Sequence, residues 1–161
     1  PPDMNPQGPP FAIREDNLTG TAIAELLQGH LLAAAANSPE GAVHALNLED
    51  LRQPDITFWS VWRDQELAGC GALRELSKSH GEVKSMRTAA RFLRQGVAAI
   101  LLDHMIAIAG KRGYERLSLE TGNNDAFAAA RALYTRFGFA PCPPFGSYVD
   151  DGFSMCMTRT L

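Results

Sequence analysis

The feature that most narrows the fold is a change of hydrophobic period midway along the chain. Between Thr57 and Thr88, apolar and β-branched residues fall into three short runs: Thr57–Arg63 (TFWSVWR), Glu66–Leu76 and Glu82–Thr88 (EVKSMRT). Asp64-Gln65 and Ser77–Gly81 separate them with turn-forming residues. From residue 96 to 112 the spacing turns helical, with Val97, Ile100, Leu101, His104, Met105 and Ile108 recurring on one face. Side chains alternate faces along a strand and return every 3.6 residues in a helix, so a segment satisfies one period or the other. The first block predicts an antiparallel three-strand meander, and Gly69 and Gly71 in its middle run allow a bulge or a close approach. The second block predicts a helix over 96–112.

The remaining elements follow the same rule. Phe11–Arg14 is a strand candidate, and residues 19–35 read as a helix with Ile23, Leu26, Leu27 and Leu31 on one face. His44, Leu46, Leu48 and Leu51 suggest a short second helix that stops before Pro54. A strand is expected around Leu117 and Leu119, an amphipathic helix over Asp125–Phe137, and late strands over 138–142 and 153–160. The order describes an α/β (α+β) chain with one mixed sheet covered by helices.

Bulk properties exclude several classes. The 161 residues suit one domain over 11–161, with the proline-rich PPDMNPQGPP at 1–10 as a flexible lead-in. The formal net charge of −3 lends no support to nucleic-acid binding. No apolar run has the length of a membrane span and no signal peptide is visible, so a cytoplasmic location is expected. Cys70, Cys142 and Cys156 are odd in number and widely spaced, matching neither a disulfide framework nor a zinc site. Reduced thiols and no metal are expected.

The segment most informative about chemistry is Met86–Leu102 (MRTAARFLRQGVAAILL), where a strand gives way to a loop and a helix opens at Gly96-Val97-Ala98. A helix start presents free N–H groups and a partial positive charge, which together bind phosphate. Gly96 and Ala98 let an anion approach the backbone, and Arg91 and Arg94 add charge suited to a pyrophosphate. An ordinary turn with solvated arginines accounts for this segment equally well when it is taken alone.

Arg94-Gln95-Gly96-Val97-Ala98 resembles the acetyl-CoA loop of the GNAT (Gcn5-related N-acetyltransferase) superfamily, although Leu93 stands where that loop usually begins with Gln or Arg. The resemblance continues through Lys111-Arg112-Gly113-Tyr114, Leu117–Thr121, Leu133-Tyr134 and Phe137-Gly138-Phe139. His44-Ala45-Leu46, Phe58-Trp59, Gly71-Ala72-Leu73, Lys84-Ser85-Met86-Arg87-Thr88, Leu119–Gly122 and Pro144-Phe145-Gly146-x-Tyr148 extend it over nearly the whole chain. These segments look like a bacterial branch of mostly unassigned substrate.

The resemblance implies a mainly antiparallel twisted sheet whose splayed central strands hold acetyl-CoA as co-substrate. It places cofactor contacts at Met86, Arg87, Thr88, Arg91, Arg94, Gln95, Gly96, Val97 and Ala98, with the Met86 N–H polarising the thioester carbonyl. Tyr134 falls where the superfamily places a tyrosine that protonates the leaving thiolate. Its other reading is a core residue beside Phe127, Ala130 and Phe137. Glu82 stands where some members carry a glutamate that draws a proton from the amine, against the reading of a solvated edge residue. His44 and His80 are alternative bases. Many members have an asparagine seven residues before the helical tyrosine; Phe127 occupies that position, so this role is not carried over.

The acceptor side is implied to lie around residues 31–58 and 143–152, with His44, Trp59, Phe145, Tyr148, Asp150 and Asp151. The implied partner is a small-molecule amine or amino-acid-like metabolite. A non-catalytic acyl-CoA-binding module and a peptide or protein N-acetyltransferase remain alternatives, and a homodimer is left open.

Overall fold

A computed structural model describes residues 10–36 and 48–161, with the backbone alone for 30–36. His44 and Leu46 therefore lie outside the described residues. The elements run β1 (Ala12–Glu15), α1 (Thr21–Ala36), α2 (Leu48–Leu51), β2 (Ile56–Arg63), β3 (Glu66–Ser77), β4 (His80–Thr88), α3 (Val97–Lys111), β5 (Arg116–Gly122), α4 (Ala128–Arg136), β6 (Ala140–Cys142) and β7 (Ser154–Thr160). Single 3₁₀ turns at Ala90–Phe92 and Asp125–Phe127 precede α3 and α4.

Seven strands form one sheet in the order β1-β2-β3-β4-β5-β7-β6. Every neighbouring pair is antiparallel except β4 and β5, which are parallel. This is the mixed, mainly antiparallel sheet with flanking helices that the sequence implies. The meander is present as expected, though β4 begins at His80, inside the segment read as a turn. His80 and Gly81 are drawn into the sheet from both sides, opposite Ser77 and Glu75 of β3 and Arg116 and Leu117 of β5. Turn-forming residues lose that contest to pairing on two edges.

The two faces carry separate cores. Trp59, Val61, Leu73, Val83, Leu117 and Leu119 pack with Val97, Leu101, Leu102, Met105 and Ala109 of α3, and Tyr134 of α4 joins them. Phe58, Cys70 and Ala72 face the other way, against Leu18, Ile23, Leu27 and Leu51. The buried stripe of α3 is rotated from the sequence reading: Leu102 is fully buried, whereas Ile100 is 40% exposed. Apolar residues lie nearly all round this helix, so periodicity defined the element without choosing which stripe meets the sheet.

The start of α3 is seated by the absence of a side chain. A Cβ on Gly69 would lie 2.7 Å from Val97 Cγ1 and 2.8 Å from the Arg87 carbonyl oxygen. The second neighbour is backbone and cannot swing aside. Gly69→Ala should therefore destabilise the fold by about 1–3 kcal/mol. Equilibrium denaturant unfolding at unchanged slope checks this; wild-type stability in the variant would show that α3 does not depend on the close approach.

Candidate active site

β4 and β5 stop pairing halfway along their length. Ladder bonds join His80–Val83 to Arg116–Leu119 and go no further. Beyond that point β5 stays with β7 through Gly122, while β4 stays with β3 through Thr88. The β5-facing edge of β4 is thus unpaired from Lys84 to Thr88, inside the sheet. Backbone N–H and C=O groups there are available to an extended ligand, much as an exposed edge accepts another strand.

A bulge decides which side chains look where. Ala72 lies opposite Lys84 and Cys70 opposite Arg87, so β4 spends one residue more than β3, and Ser85 takes a left-handed φ of 56°. Cys70 and Ala72 share the α1 face, and residues directly opposite in an antiparallel pair share a face. Glu82, Lys84 and Arg87 therefore stand on the α1 face. Met86 turns toward α3, where its sulfur would lie 2.5 Å from a Cβ on Gly71.

On the α3 side the open edge leads to the helix start. Arg94 and Gly96 both have positive φ, 64° and 85°. The first intrahelical bond runs from Ile100 N–H to Gly96 O at 2.9 Å, leaving the N–H groups of Val97, Ala98 and Ala99 without a partner in the helix. A Cβ on Gly96 would meet nothing within 4 Å, so the space before these amides is open. This arrangement fits an anion such as pyrophosphate. Arg94 is exposed beside it. Arg91 instead pairs with the Glu66 carboxylate. Gln95 braces the loop, accepting from Arg63 Nη1 at 3.0 Å and donating to the Arg91 carbonyl at 3.2 Å.

On the α1 face lies a buried polar triad. Lys84 Nζ donates to Glu82 Oε2 at 2.9 Å and to the Tyr148 hydroxyl at 2.7 Å, and that hydroxyl donates to Glu82 Oε2 at 2.6 Å. Glu82 is 2% exposed, so it is no solvated edge residue. Burial first, then the Glu82 carboxylate, pushes the Tyr148 phenol well above its ordinary range. Lys84 and Tyr148 were not assigned roles from sequence as partners of Glu82. The two-residue spacing of Glu82 and Lys84 in a strand was a usable signal for a shared face; the 66-residue separation of Tyr148 from Glu82 offered none.

Other expected residues divide. Tyr134 is 7% exposed in the α3-side core, with its ring edge-on to Phe139 at 6.0 Å. Its hydroxyl hydrogen-bonds no described residue. Among the described residues the one buried side-chain nitrogen or oxygen lacking a partner is Arg87 Nε. His80 bonds Ser118 Oγ at 2.7 Å at the closed end of the β4–β5 pair, and burial with the Arg116 charge lowers its pKa.

Strand alternation turns Trp59 into the α3 core, 5.5 Å from His104, away from the α1 face of Glu82 and Tyr148. Asp150 and Asp151 hold the turn into β7, accepting from Gly152 N–H and from the N–H groups of Phe153 and Ser154. Phe127, at the family's asparagine position, lays its ring over Gly122, whose Cβ would fall 2.0 Å from it. The cysteines are free, with Cys142 and Cys156 directly opposite across β6 and β7.

The acetyltransferase (GNAT) family model matches residues 22–139. The chain is 54% identical over 149 residues to the uncharacterized N-acetyltransferase YsnE of Bacillus subtilis (strain 168), covering 92% of this chain and 99% of that one. It is 46% identical over 151 residues to the uncharacterized N-acetyltransferase YedL of Escherichia coli (strain K12), covering 94% and 95%. A GNAT family acetyltransferase from Elizabethkingia anophelis, solved with acetyl-CoA bound, shares the fold with a TM-score of 0.68 at 20% identity, covering 94% and 98%.

Burial makes Tyr134 a source of alkaline sensitivity. Desolvation raises its pKa from 10.0 to about 12, so the folded protein keeps the phenol proton where the unfolded chain has lost it. The stabilising effect is complete below pH 10 and is lost as pH rises toward 12. Denaturant unfolding across this range should show a shallower loss of stability in Tyr134→Phe than in the wild type. Identical slopes would show that Tyr134 is not desolvated in the folded state.

Proposed function

Because this chain belongs to the acetyltransferase (GNAT) family, we propose that it moves the acetyl group of acetyl-CoA to a primary amine of a small molecule or amino-acid-like metabolite by direct attack. The observation that carries this reading is the unpaired β4 edge, which lies between an anion-ready helix start on one side and a buried carboxylate on the other. A binding module that only held an acyl-CoA would have no use for the second feature.

In this reading Gly96, Val97 and Ala98 hold the pyrophosphate by backbone amides, Arg94 adds charge, and Gln95 keeps the loop in shape. The backbone of Met86, Arg87 and Thr88 pairs with the pantetheine arm, and the Met86 N–H polarises the thioester carbonyl. Arg91 joins the phosphate contacts by leaving Glu66. Glu82 takes a proton from the incoming amine through Oε1, directly or by way of water. The amine nitrogen forms the new bond to the carbonyl carbon, the carbon–sulfur bond breaks, and its electron pair leaves with sulfur. Tyr134, protonated at neutral pH, supplies the proton that converts the thiolate to free CoA thiol. The reading needs no metal, and among the described residues no three His, Cys, Asp or Glu side chains converge on one point.

Two measurements test it. Acetyl-CoA should raise the melting temperature of the wild type, and Gly96→Glu, which sets a negative side chain in the open space before the amides, should abolish that rise. An unchanged melting curve for the wild type at millimolar ligand would sink the acetyl-CoA reading.

Tyr134→Phe removes one proton and little volume. Turnover at saturating acetyl-CoA should fall on the order of a hundredfold, with the acetyl-CoA thermal shift retained. Wild-type turnover in this variant would return Tyr134 to a purely packing role.

A further inference from the structure

Among the described residues, the Arg87 guanidinium has no counter-ion. Its Nε is fully buried and hydrogen-bonds nothing, and no described side chain forms an ion pair with the group. It stands half-buried on the α1 face, opposite Cys70 and beside the Phe58, Cys70 and Ala72 cluster. The nearby acid, Asp16, is occupied elsewhere: Oδ1 accepts from Leu18 N–H at 2.8 Å and Oδ2 from Ser60 Oγ at 2.6 Å. Two other cations of this face are matched, Lys84 by Glu82 and Arg74 by Asp55. Asp16 meets only neutral donors and keeps its charge on this face, so what Arg87 lacks is a direct hydrogen-bonding partner for its buried Nε.

Burying a donor N–H without a partner costs free energy, so such a group is expected where a ligand completes it. We propose that the Arg87 guanidinium binds a carboxylate on the acceptor, so that the substrates are amines carrying a carboxylate, such as amino acids. This rests on the acetyl-transfer reading above and names its substrate class. Arginine presents a planar fork of donors that matches a carboxylate two bonds at a time. The location also suits the reaction. Arg87 is five residues past Glu82 on β4, about 17 Å along the strand at most, and its side chain stands on the same face as the Glu82 carboxylate. A molecule held by its carboxylate at Arg87 would lie along the open edge with its amine directed toward Glu82.

The test uses the full chain and matched acceptors: amino acids, their carboxamides, the corresponding decarboxylated amines, and amines bearing a phosphate ester. The acetyl-CoA thermal shift of the wild type is read first, because its absence would sink the acetyl-transfer reading itself. With that shift present, thiol release should show kcat/KM at least about tenfold higher for carboxylated amines than for their amides, as expected for one charge-assisted contact. In Arg87→Met this preference should disappear, and the melting temperature should hold or rise, since an unpaired buried N–H has been replaced by an apolar chain of similar length. Four results would overturn the inference: equal rates for acids and amides, a preference for phosphate esters, silence across the carboxylated panel, or a preference that survives in Arg87→Met. A lower melting temperature in Arg87→Met would also overturn it, by making Arg87 a structural cation.

Discussion

The arrangement of the site depends on the point at which β4 and β5 part. Two parallel strands paired along their whole length would bury their backbone groups in each other and leave no opening. Here pairing ends at Val83 and Leu119, and each strand keeps its other neighbour. The sheet remains continuous while one stretch of its interior backbone stays unspent. The bulge at Ser85 sharpens the effect, because one additional residue bends the strand and returns Arg87 to the face of Glu82 and Lys84. Met86 is left on the opposite face, anchored against α3. The parting of β4 from β5 supplies the opening, and the bulge sorts the side chains around it.

The charged groups at this opening are poor choices for stability. A buried lysine–glutamate pair contributes little net stability, although removing either partner alone typically costs about 3–5 kcal/mol. The Tyr148 hydroxyl eases that cost by bonding both members, and in doing so it ties the loop between β6 and β7 to β4. The α3 side is built on another principle. There the binding groups are backbone amides set by left-handed residues, and side chains such as Gln95 and Arg63 brace the loop. Fixed amides at a helix start require no charge to be buried before the ligand arrives.

Much of the architecture was legible in the chain. The period change separated the meander from α3, and strand boundaries deviate by a residue or two. Boundaries moved where pairing overrode local turn chemistry, as at His80 and Gly81. The Asp125–Phe137 helix begins with a 3₁₀ turn because Asn124 supplies no side-chain cap and Arg131 instead holds the Gly122 and Asn124 carbonyls. The face that Trp59 takes is not legible in the sequence, because its strand has large apolar residues on both faces. In such a strand, composition does not say which core each residue enters.

For the site, the division follows the range of the interactions. The loop at Arg94–Ala98 is local: a glycine at a left-handed position opening a helix is written in a few consecutive residues, and family resemblance could act on it. Tyr134 and Glu82 could be named from position in a motif, but whether either was buried could not. The triad of Glu82, Lys84 and Tyr148, the orphaned Nε of Arg87 and the opposition of Cys142 to Cys156 join residues distant in sequence or flipped by a bulge. Sequence by itself determined the elements, their order and the anion-ready helix start, because backbone propensity and hydrophobic period act over a few residues. Tertiary structure alone decided where β4 leaves β5 and which charges are left matched or unmatched there, because strand register and burial are properties of the whole sheet.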